Sequence, residues 1–363
     1  GIFNYLKINT MKKLLLVFVF FSLTFCSDDQ GDDDQEVIDN QTSLSDHLIT
    51  TSNEGKAYSL LMTSSEYNDW KNKDQFTNTS IREELFKDIY KYFSDDYDFI
   101  FLVLNEDDIP ENIEYYGKLI GVSNDINGLG LDQYDYSKNY GSSGKLKSVM
   151  QLTGLSFLQS GPALHELMHN WGNYSLPSEN VDEIGSNLTS YSYYGHWGFT
   201  GGSSKGQLGG FNQSSLESLG SNQYSVDPFG AFANGGNSVP FNEFELYLMG
   251  MIPLSSVNTF DLFKNITSWE PSETKFNFTA NSRITYDQDA ILSQLGSRIP
   301  DSSNSQKEFN LLVLVLTEKE LTDGEWNTIN SSLDWFSFNG TDDSFLFNFY
   351  EATNGIGKVI IGE

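Results

Sequence analysis

Apolar and polar positions in the first half of the chain follow two patterns, continuous apolar runs and apolar residues at helical spacing. Continuous apolar runs bounded by polar residues are typical of buried strands, and the run at 99–104 is the strongest of them. Residues 81–93 instead place Leu85, Ile89 and Tyr92 on one face of a predicted helix. Strands are predicted at 58–62, 99–104, 116–122 and 146–152. Strands that alternate with helices predict an α/β (α+β) fold built on a mixed sheet.

The second half of the chain resumes this pattern after a glycine-rich interruption. Between 195 and 236 paired glycines and weak periodicity predict long loops and short strands around a cleft. Residues 309–316 are strongly apolar and predict another buried strand. Helices are predicted at 289–295, 323–335 and 345–352. We interpret this last third as a lobe that supports the cleft.

An apolar run from 14 to 25 dominates the amino-terminal region. It is too short to cross a bilayer and is typical of the hydrophobic region of a secretory signal, which would put residues 1–10 upstream of the true start. The run ends at Cys26, the single cysteine of the chain. It resembles a bacterial lipoprotein signal, although Phe25 departs from the usual small residue. We therefore expect residues 1–26 to comprise upstream residues and a signal peptide, with lipid attached to Cys26.

Residues 27–53 are polar and acidic and have no hydrophobic period, so they predict a flexible tether. Their aspartate clusters resemble the surface-export signal of bacterial lipoproteins. The expected location is the extracellular face of the bacterial outer membrane, with secretion or the periplasm as alternatives. Residues 54–363 are then expected to form one large domain.

The charge balance limits the classes of partner. The chain has a net charge of −29 and a pI of about 4.3. Such a charge argues against nucleic acid and against anionic lipid surfaces. We expect membrane contact only through the lipid anchor at Cys26, and a monomer.

The stretch from 161 to 172 contains a complete His-Glu-x-x-His, which is rare by chance in a chain with four histidines. Residues four apart share one face of a helix, so His165 and His169 can both present an imidazole nitrogen to one zinc ion. Glu166 would lie beside the metal without binding it. There its carboxylate can take a proton from a metal-activated water and pass it to the leaving amine.

The same stretch predicts a helix on apolar grounds alone. Pro162 suits the start of a helix. The apolar residues that follow it recur at helical spacing and predict a buried stripe. These are Leu164, Leu167, Met168 and Trp171. A core helix with two hydrogen-bonded histidines is the alternative without a metal.

A zinc site needs a third protein ligand, and its identity is left open by the sequence. The spacing through Gly172 fits the metzincin pattern His-Glu-x-x-His-x-x-Gly-x-x-His, in which the glycine lets the chain turn, but Ser175 stands where the last histidine belongs. His196 is favoured because glycines flank it, whereas His47 lies in the polar amino-terminal region and is expected to be exposed. On this view substitution of His196 weakens zinc binding. The carboxylate alternatives are Glu179, Glu183, Glu243 and Glu245, and substitution of Glu183 or Glu245 is expected to leave zinc binding intact.

A second segment, residues 240–253, lies downstream of the zinc helix. Its Leu-Met-Gly step at 248–250 is similar to the Met-turn of metzincins, in which a methionine forms an apolar floor beneath the metal. The match is weak by itself, since a methionine followed by glycine is common in ordinary cores. The His-Glu-x-x-His-x-x-Gly pattern upstream favours the functional interpretation.

Taken together, the sequence resembles secreted bacterial metzincin-like zinc metallopeptidases. The resemblance rests on His165 to Trp171, on His196-Trp197 and on Glu245 to Gly250. It implies a zinc cofactor and a metzincin-like peptidase fold over residues 54–363, with His165, His169 and His196 as metal ligands. It implies no known substrate.

The first functional hypothesis is a zinc-dependent endopeptidase that hydrolyses extracellular proteins, with Glu166 as general base. Tyr247 and Tyr194 are candidates to stabilise the oxyanion. One alternative is a surface binding protein or adhesin that keeps a peptidase scaffold without catalysis. Another is a zinc amidase that acts on cell-wall peptide. The intact Glu166 argues against the adhesin, because a purely structural metal site does not need a base there.

We predict that the exported protein begins at a lipidated Cys26. The hydrophobic run and the acidic residues after it are the reason. Mass spectrometry of membrane fractions should find the acylated cysteine at the new amino terminus, and Cys26→Ser should abolish acylation. Retention of residues 14–25 in the exported protein would contradict the prediction.

Overall fold

The computed structural model describes residues 47–52, 56–181, 188–191 and 195–361, with the backbone alone at 178–181 and 188–191. The predicted signal peptide with Cys26, and the predicted tether up to residue 46, lie outside the described residues. Glu183 and Tyr194 also lie outside them.

The described chain contains α-helices and two larger sheets. The strands are Leu48–Thr51 (β1), Tyr58–Leu61 (β2), Phe99–Leu104 (β3), Gly117–Gly121 (β4), Ser123–Asn124 (β5), Tyr134–Asp135 (β6), Ser148–Leu152 (β7), Ser178–Val181 (β8), Leu188–Tyr191 (β9), Glu217–Gly220 (β10), Gln223–Val226 (β11), Phe260–Pro271 (β12), Phe276–Tyr286 (β13), Glu308–Thr317 (β14) and Lys358–Ile361 (β15). The helices are Ser64–Asn72 (α1), Thr79–Ile89 (α2), Phe157–Ser160 (α3), Ala163–Gly172 (α4), Glu243–Leu248 (α5), Gln288–Leu295 (α6), Asp323–Phe336 (α7) and Phe349–Ala352 (α8).

The larger sheet has seven strands in the order β1-β2-β14-β3-β7-β4, with β15 paired to the first part of β14. The inner pairs β2/β14, β14/β3 and β3/β7 are parallel, whereas β1 and β4 run antiparallel at the two ends. The predicted α/β class with a mixed sheet is therefore confirmed.

Strand β3 shows how this sheet organises the core. All six of its residues are buried, as the continuous apolar run predicted. Successive side chains of a strand point to opposite faces, so Phe99, Phe101 and Val103 enter one apolar cluster while the residues between them enter another. Helices α1 and α2 cover the second cluster, and α4 covers the first. The sheet is thus buried on both faces.

The smaller sheet has four strands in the order β10-β11-β13-β12. The sequence analysis did not predict its long hairpin of β12 and β13, because polar residues break the apolar pattern along both strands. One face of the sheet packs on a cluster rich in phenylalanine. Phe199 and Phe211, from the glycine-rich stretch, belong to this cluster, which therefore fixes the loops that lead to the site.

Two predictions about the amino-terminal part are wrong. Residues 48–51, placed in the tether, form β1, with Leu48 opposite Leu61 of β2. His47, expected to be exposed, is buried, and its Nδ1 lies 3.2 Å from the Asp88 carboxylate on α2. Pairing with β2 satisfies the backbone of this polar stretch, which its composition did not reveal.

The other predicted helix boundaries differ less from those of the structure. The predicted helix at 345–352 is shorter, because Asn348 caps α8 by accepting from the Glu351 amide. Helix α1, with Tyr67 and Trp70 buried, was not predicted. No helix in the described part of the chain combines the length and the apolar character that crossing a membrane requires.

We predict that Gln151→Leu destabilises the fold by about 1–3 kcal/mol, the cost of stranding a buried polar group. Gln151 is fully buried on β7, where its Oε1 accepts from the Trp70 indole at 2.6 Å and its Nε2 donates to the Tyr115 hydroxyl at 2.8 Å. Leucine keeps the volume but leaves the indole N–H without an acceptor. Urea unfolding measures the change.

The exposed residue Gln133 provides the control, and Gln133→Leu should change the free energy of unfolding by less than about 0.5 kcal/mol. Equal effects of the two substitutions would contradict a structural role for the buried hydrogen bonds.

Candidate metal centre

Helix α4 is held on the sheet by apolar contacts and by a distant cap. The predicted stripe is confirmed, since Leu164, Leu167, Met168 and Trp171 are all at most 2% exposed. The Leu164 amide donates to Asn237 Oδ1 at 3.0 Å, so a residue far along the chain caps the helix after Pro162. Because both the stripe and the helix start are fixed, the opposite face of α4 points in a defined direction.

His165 and His169 lie on that face and are each 5% exposed. His165 Nδ1 lies 2.9 Å from the Gln207 carbonyl oxygen, and His169 Nδ1 lies 2.6 Å from Asn173 Oδ1. A carbonyl oxygen can only accept, so each Nδ1 carries the ring proton. The lone pair of each neutral ring is therefore at Nε2.

His196 reaches this face through a tightly packed loop. A Cβ at Gly195 would lie 2.7 Å from His169 Nδ1 and 2.6 Å from Asn173 Oδ1, so only glycine fits there. Beyond His196, Gly198 has a φ of 51° and forms a bridge with Gly209. The flanking glycines thus allow the close approach that the sequence predicted.

The three imidazoles converge. His165 Nε2 lies 3.1 Å from His196 Nε2 and 3.2 Å from His169 Nε2. The ligand atoms of the three residues all lie within 4.8 Å of one another, and among the described residues this is the sole cluster of metal-binding side chains. With the ring protons of His165 and His169 at Nδ1, their Nε2 lone pairs face each other with no proton between them. A metal ion placed among the three nitrogens removes this repulsion, so the residues fit a metal site.

Comparisons with protein-family models, curated proteins and solved structures found no match.

Burial keeps these histidines uncharged. Desolvation, with a smaller contribution from His169, lowers the pKa of His165 to about 3, and desolvation lowers the pKa of His169 to about 4. Desolvation also holds the pKa of His196 well below its usual value. The Phe232 ring packs edge-on against His196, with 4.2 Å between the ring centroids. Neutral imidazole is the form that binds metal, so the centre is ready to bind a cation near pH 7.

Glu166 is 1% exposed, and its side chain packs against strand β4. A Cβ at Gly117 of β4 would lie 2.7 Å from the Glu166 Cγ and 3.0 Å from the Pro162 ring. The glycine therefore lets the edge of the sheet approach the start of α4 and the carboxylate. Sequence reasoning did not identify Gly117, since nothing in the strand pattern separates it from an ordinary glycine.

The proposed alternatives for a third ligand have other partners where they are described. The Ser175 hydroxyl donates to the Leu129 carbonyl at 3.0 Å. Glu243 accepts hydrogen bonds from Ser203 and Ser204. The Glu245 carboxylate accepts from three backbone amides. The Glu179 side chain and the whole of Glu183 lie outside the described residues.

Gly172 differs from its expected role. It ends α4 in helical geometry, and the helix is followed by Asn173 at φ −65° and ψ −26°. A Cβ at Gly172 would overlap Leu208 and lie 3.4 Å from the Trp197 ring. The glycine therefore permits close packing of the loops that carry His196, and it does not turn the chain.

The segment of the proposed Met-turn forms helix α5 and a tight turn, with Gly250 at a φ of 77°. Met249 is buried in the same cluster as the apolar stripe of α4, and the aromatic ring that contacts His196 is Phe232. The Tyr247 hydroxyl accepts a hydrogen bond from the Arg298 backbone. This accepted hydrogen bond does not use the O–H of Tyr247, so the role in oxyanion binding considered for it stays a prediction.

Sequence reasoning missed Asn173, Gln207 and Phe232. Asn173 could have been found, because it lies one helical turn after His169 and metal-binding histidines commonly have such a partner. The Gln207 contribution comes from its backbone carbonyl, which leaves no trace in residue type. Phe232 lies in a glycine-rich stretch without periodicity.

We predict that Gly195→Ala strongly weakens metal binding. The added methyl group would contact His169 and Asn173 at less than 3 Å, so either the loop withdraws with His196 or the His169 ring turns. Competition with a chromophoric chelator for Zn²⁺ measures the affinity. The control is Gly324→Ala, where the nearest atom to the new methyl lies 3.9 Å away. Equal affinities of both variants for Zn²⁺ would contradict the described packing.

Proposed function

We propose that the protein is a zinc-dependent endopeptidase that cleaves peptide bonds of extracellular proteins. The observation that carries the proposal is the convergence of His165, His169 and His196 next to Glu166, in the order that His-Glu-x-x-His provides. Lipid attachment at Cys26 and a location on the extracellular face of the outer membrane are part of the same proposal.

Zinc suits the spacing of the nitrogens. Tetrahedral zinc with Zn–N bonds of about 2.0–2.1 Å has ligand nitrogens about 3.3 Å apart. The observed separations from His165 Nε2 are 3.1 and 3.2 Å. The three imidazoles would hold the zinc ion, and a further ligand position would remain for water or substrate, as in catalytic zinc sites.

When bound, zinc would supply Lewis-acid chemistry, polarising the scissile carbonyl and making the attacking water more acidic. The Glu166 carboxylate would accept the proton of that water and then donate it to the leaving amine. His165 and His169 hold their ring protons at Nδ1, against Gln207 and Asn173, and so keep Nε2 available. The apolar surroundings, including Phe232, limit competing water.

The choice of a peptide substrate rests on the sequence. A carboxylate directly after the first histidine of the pair is typical of metallopeptidases. The resemblance to metzincin-like peptidases supports the same class. Glu166 is intact, directly follows His165 and is buried where Gly117 leaves room for its side chain, which favours catalysis over a purely structural metal site.

We predict that Glu166→Gln lowers peptidase activity by at least about 10²-fold, because the proton acceptor is lost. Zinc content should stay near one per chain, because the three imidazoles remain. Activity on an unfolded protein substrate and metal analysis of the same sample measure both. His196→Ala is the matched variant, since it should lose zinc and activity together.

Full activity of Glu166→Gln would contradict the assigned proton transfer. Loss of zinc in Glu166→Gln would instead show that the carboxylate binds the metal or is required for the fold. An inactive native protein that binds zinc would refute the endopeptidase.

A further inference from the structure

We propose that Glu245 is a positioning residue of the metal centre, which holds the peptide segment 206–208 on which both His165 and His196 depend. The identity of the metal rests on the proposed function. Glu245 belongs to the segment that the sequence analysis compared with a Met-turn, and there it was considered only as a direct ligand. Its substitution was therefore expected to leave zinc binding intact, and the hydrogen bonds of its carboxylate now predict the opposite.

The contacts of Glu245 are directed at one loop. It is fully buried, and its Oε2 and Oε1 accept from the Gln207 amide at 3.0 Å and the Leu208 amide at 2.7 Å. Oε2 also accepts from the Asn242 amide at 3.0 Å, which completes a capping box at the start of α5. One carboxylate thus joins the helix start to two successive amides of the loop.

The same two residues continue to the histidines through their carbonyl groups. The Gln207 carbonyl accepts from His165 Nδ1 at 2.9 Å, which sets the tautomer of that ring. The Leu208 carbonyl accepts from the amide of Trp197, directly after His196. Glu245 therefore acts on two of the three imidazoles through one stretch of backbone, whereas His169 is held by Asn173.

The loop packs so closely against Glu245 that position 206 has no room for a side chain. A Cβ at Gly206 would overlap Glu245 Oε2 and Asn242 Nδ2. Asn242 Nδ2 itself donates to the Gly201 carbonyl at 2.8 Å. Burial raises the pKa of Glu245 to about 7 although three amide hydrogen bonds lower it, so burying this carboxylate is costly. All of its described hydrogen bonds support the loop or its junction with α5.

The test compares Glu245→Gln with Glu243→Gln in the full chain. Glutamine has the same shape, but its amide nitrogen would face a backbone N–H, so one bond to Gln207 or Leu208 is lost. Glu243 is on the same helix and contacts Ser203 and Ser204, earlier in the same loop. It therefore controls for charge removal at α5 without touching 206–208.

We expect Glu245→Gln to lower the affinity for Zn²⁺ by about 10- to 100-fold, the usual effect of removing support from a metal ligand. Its Co²⁺-substituted form should show altered visible absorption bands, which report ligand geometry. Near-ultraviolet circular dichroism of the metal-free protein should stay unchanged. Glu243→Gln should match the native protein in all three measurements.

Gly206→Ala provides a second variant that leaves the carboxylate in place and pushes the loop away from it. It should weaken Zn²⁺ binding in the same way. Native affinity and an unchanged Co²⁺ spectrum in Glu245→Gln would overturn the proposal. If Glu245→Gln fails to fold, native Zn²⁺ affinity in Gly206→Ala would overturn the proposal. Failure of both variants to fold would also overturn it, because Glu245 would then be needed for the fold as a whole and not for the metal centre in particular.

The experiments distinguish failure of the Glu245 proposal from failure of the endopeptidase proposal. A native protein that binds Zn²⁺ without cleaving peptides refutes the proposed function and leaves the role of Glu245 intact. Active Glu245→Gln with native zinc affinity refutes the role of Glu245 alone. A native protein without Zn²⁺ affinity refutes both.

Discussion

The structure around the site depends on one electrostatic constraint, the meeting of imidazole lone pairs in a buried space. The Nε2 atoms of His165 and His169 lie 3.2 Å apart in residues that are 5% exposed, too close for a water molecule to lie between them. Such an arrangement is stable when a cation lies among the nitrogens or when a proton does, and burial lowers the pKa of each ring and disfavours the proton. The fold thus favours a metal by making protonation costly.

This constraint explains why Gln207, which supports His165, is as buried as the ring itself. For Nε2 to carry the lone pair, Nδ1 must donate to a fixed acceptor. His169 uses Asn173, one helical turn away, and this local solution needs only α4. His165 uses a backbone carbonyl from a distant loop, and that loop must be fixed in turn. The order of the site therefore extends to α5, which is why a carboxylate without a ligand role lies fully buried there.

The sequence predicted those parts of the molecule that depend on periodicity and residue type. The buried strand at 99–104, the helix with its apolar stripe and the grouping of His196 with His165 follow from spacing, from polarity and from the shortage of histidines. It did not predict β1 or the β12–β13 hairpin, where backbone pairing outweighs a polar composition. Nor could it predict backbone acceptors such as the Gln207 carbonyl, since every residue carries one.

The assignment of Glu245 to the loop also bears on the chemistry of the centre. A carboxylate ligand would neutralise part of the charge of a divalent ion, whereas three neutral imidazoles would leave that charge for the substrate carbonyl and the attacking water of the proposed endopeptidase. Both Glu245 oxygens accept amide hydrogens, so this acid is kept from the histidines although it lies only one peptide segment from His165. In the proposed mechanism Glu166 would act as a proton acceptor instead of as a ligand. The chain has a net charge of −29, so acidic side chains are abundant and must be kept away from the histidines. Helix α5 and the segment 206–208 do this for Glu245 by binding both of its carboxylate oxygens.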